Sequence, residues 1–175
     1  MGPIRSDGRT KPYFSDMYIT SYTPTLSALI ESHKPSMQPL DEPSMLLVAQ
    51  PDAQIPSALQ EMRVIQKVCP LVEALPWQTA TPSATLKRLR EHRFAHISCH
   101  GTLEKGKPFD AFFELYGVTC LTLLDIIRSQ LPIAEFAFLS ACHTAEITEK
   151  SVADEGLHLS AAVQYCGFRS VVGTM

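Results

Sequence analysis

The sequence predicts an α/β domain with a mostly parallel sheet and helices on both of its faces. Three observations carry this. Short apolar runs, "MLLVA", "FAHISC" and "EFAFLSA", recur along the chain. They read as strands buried on both faces rather than as alternating surface strands. Segments with apolar residues at helical spacing separate them, so strand and helix alternate as in linked βαβ units. At 175 residues, 45% apolar and 19% charged, the chain is long enough to bury one substantial core.

The elements follow in order. Residues 1–16 are polar and rich in glycine, proline and charge, and read as a flexible leader. The domain is expected over 17–175. "DMYITSYTP" reads as a short strand, and Thr23-Pro24 opens a helix to about Ser32, with Leu26, Leu29 and Ile30 on one face. Three prolines make "HKPSMQPLDEPS" a loop. "MLLVA" is a strand, followed after Pro56 by a helix with Leu59, Met62, Ile65 and Val68 as its stripe. "LVEAL" is a strand, "TPSATLKRLREH" a helix with Leu86 and Leu89 inward, and "FAHISC" a strand. "GTLEKGKPFDA" reads as a loop and "FFELYG" as a strand. "LTLLDIIRSQL" reads as one helix stopped by Pro132. "EFAFLSA" is a strand and "HTAEITEKSVADEG" a polar loop. "LHLSAAVQYCG" is a helix stopped at Gly167, and "RSVVGTM" a last strand.

Several function classes lose support here. A net charge of −3 without like-charge blocks gives no pull toward nucleic acid or an anionic membrane. No apolar run is long enough to cross a bilayer, and the N-terminus lacks an apolar signal core. Gly2 and Ser6 fit a loose myristoylation pattern, but Pro3 beside the acceptor glycine argues against it. The five cysteines, Cys69, Cys99, Cys120, Cys142 and Cys166, are odd in number and irregular in spacing. Reduced thiols in the cytoplasm are therefore expected. With no CxxC pair, no zinc site is expected. Neither GxGxxG nor GxxxxGK[ST] occurs, which weighs against a flavodoxin-like or other nucleotide-binding domain.

What remains is the chemistry at two strand ends. His100 follows "FAHISC", and Cys142 follows "FAFLSA". In an open parallel sheet, reactive groups collect beyond the carboxyl ends of the strands. A histidine beside a cysteine can take the thiol proton or stabilise the thiolate. Gly101 suits a turn that lets a substrate carbonyl approach the backbone, and the Gly101 and Cys142 amides are candidate oxyanion donors. A plainer reading stands beside this one: a cysteine at a strand end is often a small buried hydrophobe, and a histidine after a strand a turn residue. His96 alternates with core positions and reads as packed or at an edge. Cys99 should face away from His100. His143 ranks behind His100 because adjacent side chains on extended backbone diverge. Cys69, Cys120 and Cys166 read as core or helix-end thiols.

At these motifs the chain resembles the CHAT domain, a relative of caspases and separases. The likeness runs through "ITSYTPTLSALI", through "MLLVAQPDAQIPSALQEMRVI" with its strand and following Glu-containing helix, and through "FAHISCHG", "FAFLSACHT" and "DEGLHLSAAVQYCGFRSVVGTM". The resemblance implies a caspase-like fold and peptide-bond hydrolysis by a dyad of His100 and Cys142, without cofactor or metal. It also implies a protein or peptide substrate and regulatory protein partners. Members that cleave after basic residues use acidic side chains near the cysteine, which makes Asp110, Asp154 and Glu155 candidate pocket residues. For Asp154 and Glu155 the competing role is at a helix N-terminus, where negative charge is favoured. Family members usually continue past "SVVGTM", so a last strand and helix, and with them part of the pocket, are expected to be missing. The alternative implied is a non-catalytic CHAT-like regulatory or interaction module.

Overall fold

The computed structural model describes residues 17–18, 23, 25–34, 44–50, 55–102, 111–140 and 159–174. The leader lies outside these residues, as do the polar loop after Cys142 and most of the first strand expected near the N-terminus, of which only Met17, Tyr18 and Thr23 are described. The described chain forms a mixed α/β structure around a five-stranded, all-parallel sheet. Its strands are β1 (Met45–Ala49), β2 (Val72–Ala74), β3 (Phe94–Ser98), β7 (Phe136–Leu139) and β8 (Ser170–Gly173), in the order β2-β1-β3-β7-β8. The chain thus winds outward in one direction from β1, and returns to wind outward in the other from β3.

The apolar runs become the central strands because both faces are covered. Leu46, Val48, Ala95, Ile97, Ala137 and Leu139 line one face. That face packs against α3 (Pro82–Leu89), α4 (Leu123–Ser129) and α5 (Leu159–Tyr165) through Leu89, Leu123, Ile126, Ala162 and Val163. Leu47, Ala49, His96 and Ser98 are buried on the other face. Its cover is α2 (Pro56–Val68), whose Ala58 is buried and whose Glu61 reaches β3 and β7. This is the predicted fold class, and it is consistent with a caspase-like fold.

A second sheet, antiparallel, joins the first layer: β4 (Gly101–Thr102), β5 (Phe112–Leu115) and β6 (Thr119–Thr122). Two expectations change here. The segment read as a loop from Gly101 begins with a short strand pairing Phe112 and Phe113. The segment read as one helix from Leu121 is a strand followed by a helix that starts at Leu123. Thr122 caps that helix by accepting from the Asp125 amide, and Asp125 in return accepts from the Thr122 amide. This reciprocal cap fixes the strand-to-helix boundary. Gly117 turns the β5–β6 connection at a φ of 71°.

The helix starts follow from their caps. Thr81 accepts from the Ala84 amide before Pro82 opens α3. Thr25 does the same for Ala28 in α1 (Leu26–Ser32). The predicted apolar face of α1 is present, but no residue of the helix is buried by the described chain. Val68, counted in the stripe of α2, is 71% exposed. The stop at Gly167 holds: its φ is 121°, and a Cβ there would meet the Leu131 carbonyl oxygen at 2.9 Å.

Phe113 is fully buried, and through it β5 packs into the core cluster of the first layer. Phe113→Ala is expected to cost about 3–5 kcal/mol of stability. Urea denaturation checks this, and a loss under about 1 kcal/mol would mean the small sheet is peripheral to the core.

Candidate functional site

The carboxyl ends of β1, β3 and β7 form a rim of the sheet, and three polar residues stand on it: Gln50, His100 and Ser140. Between β1 and β3 the winding direction reverses, which in doubly wound sheets opens the crevice where ligands bind. His100 stands at this point, half-buried. Its backbone is held from two sides. The His100 amide donates to Gln50 Oε1 at 3.3 Å, and the His100 carbonyl accepts from the Glu114 amide at 2.8 Å. Gln50 is itself buried, and its amide donates to the Ser98 carbonyl at 2.8 Å.

The second contact decides where Gly101 points. In an antiparallel ladder, hydrogen-bonded pairs alternate with non-bonded ones. His100 and Glu114 share a ladder bond, and Gly101 faces Phe113 in the next pair along. The amide of Gly101 is therefore directed away from β5. Gly101 stands in a short strand rather than the expected turn, yet its N–H is outside the β4–β5 ladder.

Cys99 lies fully buried in the core cluster, on the side of the backbone opposite to His100, as its neighbouring position requires. Burial, with a smaller contribution from the Glu114 charge, pushes its thiol pKa well up. Cys166 is buried too, and pushed up to about 12 by the same cause. Cys69 caps the end of α2 and is half-buried. Cys120, expected in the core or at a helix end, is instead exposed on β6. Cys142, Asp110, Asp154 and Glu155 lie outside the described residues.

His96 is buried and packed on a central strand rather than at an edge. Its ring stacks on Phe138 with centroids 5.0 Å apart and planes 4° from parallel. Nε2 lies 3.1 Å from Glu61 Oε2. Burial lowers the imidazole pKa more than Glu61, by hydrogen bond and charge, raises it. Against an ionised Glu61, which can only accept, Nε2 is the donor of this contact. The other oxygen, Glu61 Oε1, accepts from Ser140 Oγ at 2.8 Å. Ser98, beside Ser140 on the same face, is fully buried, and its hydroxyl Oγ finds no hydrogen-bond partner among the described residues. Sequence reasoning gave Glu61, Gln50 and Ser140 no role. Their partners are 35 to 79 positions away, and no local pattern announces such contacts.

Among the described residues, no group of three or more His, Cys, Asp or Glu side chains could hold a metal ion. Nor is any described helix long and apolar enough to cross a membrane.

The sequence model of the CHAT domain matches residues 4–175, and the chain belongs to this family. CHAT domains are associated with caspase-like cysteine peptidase-type domains. No curated protein matches the chain significantly.

The His96 pKa has a consequence for pH stability. Its ordinary value is 6.5, and burial lowers it in the folded state. The unfolded chain therefore takes up this proton first as pH falls. The stabilisation is full above about pH 6.5 and is lost as pH drops through the lower folded value. The urea midpoint is expected to fall between pH 7 and pH 5, and to fall less steeply in His96→Gln. Equal slopes would remove His96 from the account.

Proposed function

We propose that the chain is a cysteine endopeptidase-type domain in which His100 and Cys142 form a catalytic dyad. The supporting observation is a register. β3 and β7 pair in parallel with Phe94 opposite Phe136 and Ile97 opposite Leu139, a constant offset of 42 residues. His100 and Cys142 are separated by the same 42. A pairing continued at that register would bring the two opposite each other, on the face shared by His96 and Ser140. The backbone anchors on His100 and the outward amide of Gly101 support the reading further.

In this mechanism His100 takes the Cys142 proton, and the thiolate attacks the carbonyl carbon of the scissile peptide. The oxyanion of the tetrahedral intermediate accepts from the Gly101 and Cys142 amides. The imidazolium gives its proton to the leaving amine, the C–N bond breaks, and a thioester remains. His100 then deprotonates a water, which attacks the thioester; the carboxylic acid leaves and the thiol is restored. No cofactor or metal enters. Asp110, Asp154 and Glu155 are proposed to line the substrate side, and the substrate to be a protein or peptide. The nucleotide alternative has little to stand on: the stretch after β1, "QPDAQIPS", contains no glycine to cradle a phosphate.

Labelling with a peptidyl electrophile tests the dyad. Cys142 is expected to be modified selectively, and His100→Ala to slow that modification by about 100-fold or more. Mass spectrometry of the labelled protein locates the adduct. Equal modification of Cys120 and Cys142, indifferent to His100→Ala, would leave a non-catalytic CHAT module as the better reading.

A further inference from the structure

One carboxylate ties the ends of two strands together directly below the rim. Glu61 stands on the second turn of α2, beside half-buried Leu59, Met62 and Ile65. Its two oxygens are used separately, one for Ser140 just past β7 and the other for His96 on β3. Ser140 also donates its amide to the Ile97 carbonyl at 2.8 Å, continuing the ladder between the two strands. It stands two residues before Cys142.

A half-buried carboxylate beside apolar helix neighbours is a poor choice for adhesion alone. An aliphatic residue of similar size would pack there without desolvating a charge. What the carboxylate supplies is direction: two charge-assisted hydrogen bonds, each with narrow geometry. We infer that Glu61 is a positioning residue which, by holding Ser140 against β3, sets where Cys142 stands relative to His100. The inference rests on the dyad reading above and adds a determinant to it. Misplacement by an ångström is enough to cost a catalytic pair about 100-fold in rate.

The chain's own cysteines make the test internal. Iodoacetamide alkylation of the whole chain, followed residue by residue by mass spectrometry, compares wild type with Glu61→Leu, Glu61→Gln, Ser140→Ala and the Leu/Ala double variant. Exposed Cys120 is the reference, and buried Cys99 and Cys166 report any loosening of the core. Glu61→Leu and Ser140→Ala are each expected to slow Cys142 by about 10- to 100-fold relative to Cys120. The double variant should be no slower than the worse single one, because the two act as a unit. Glu61→Gln keeps an acceptor for Ser140 and should stay within about threefold of wild type. Cys99 and Cys166 should remain protected throughout. A Cys142 rate that responds to His100→Ala but ignores Glu61→Leu and Ser140→Ala overturns this inference alone. Slowing that comes only with exposure of Cys99 and Cys166 overturns it too, by showing a merely structural role. A Cys142 rate indifferent to His100→Ala removes the dyad and this inference together.

Discussion

The register of β3 against its neighbours is the constraint on which the rest depends. Side chains on a strand alternate between faces, so a slip of one residue would exchange the two layers. His96 and Ser98 would enter the apolar layer, and Ala95, Ile97 and Cys99 would face α2. The sheet prevents this at three heights between β3 and β7. At the amino end, Arg93 donates to the Glu135 carboxylate, with both side chains largely buried. In the middle, the His96 ring lies on Phe138. At the carboxyl end, Glu61 joins His96 to Ser140. Removing one partner of a buried charged pair costs far more than the pair itself contributes.

With the register set, the rim inherits its heights. β1 and β3 also run in parallel without a bulge, Met45 opposite Phe94 through Ala49 opposite Ser98. Gln50 consequently arrives level with Cys99 and within reach of the His100 amide. The small antiparallel sheet completes the hold. β4 departs from the end of β3, and its first ladder bond falls on the His100 carbonyl. The backbone on both sides of the imidazole is thus carried by two different sheets. Functional groups set on strands gain their placement in this way, from elements whose own packing leaves little room to move.

The central strands were legible in the sequence because burial on both faces leaves an unmistakable trace, an apolar run bounded by turn residues. β1 matches "MLLVA" residue for residue, and β3 and β7 end within two residues of their runs. The strand β6 was not legible as such. "LTLLDIIRSQL" has enough leucine and isoleucine to read as a single helix, and tertiary pairing with β5 overrides that period. The signal was nonetheless there: Thr122 and Asp125 form a capping pair that marks a start at Leu123. Periodicity also says nothing about what covers a face. The stripes of α1 and of the end of α2 are thus present as patterns, while Leu26, Ile30 and Val68 stay exposed. At the candidate site, strand–His–Gly picked out His100 and Gly101 from chain order alone. Glu61 and Gln50 act through contacts that exist only once the sheet has formed.

Cys99 shows why chain proximity to a histidine is not reactivity. It is adjacent to His100 in sequence, yet burial pushes its thiol pKa well up. A thiolate needs a neighbour that takes or offsets its proton, and access for a substrate. Alternation along β3 denies Cys99 both, because the residue before an outward imidazole must point into the core. The same alternation, carried across to β7, sets Phe138 and Ser140 on the side of His96. On the dyad reading, then, a histidine beyond one strand needs its cysteine beyond the next strand rather than beside it in sequence. A chain with five cysteines can keep Cys99 and Cys166 inert by burial and still offer one thiol to one base. Two apolar strands ending in the same small, reactive residues are what that division of labour requires.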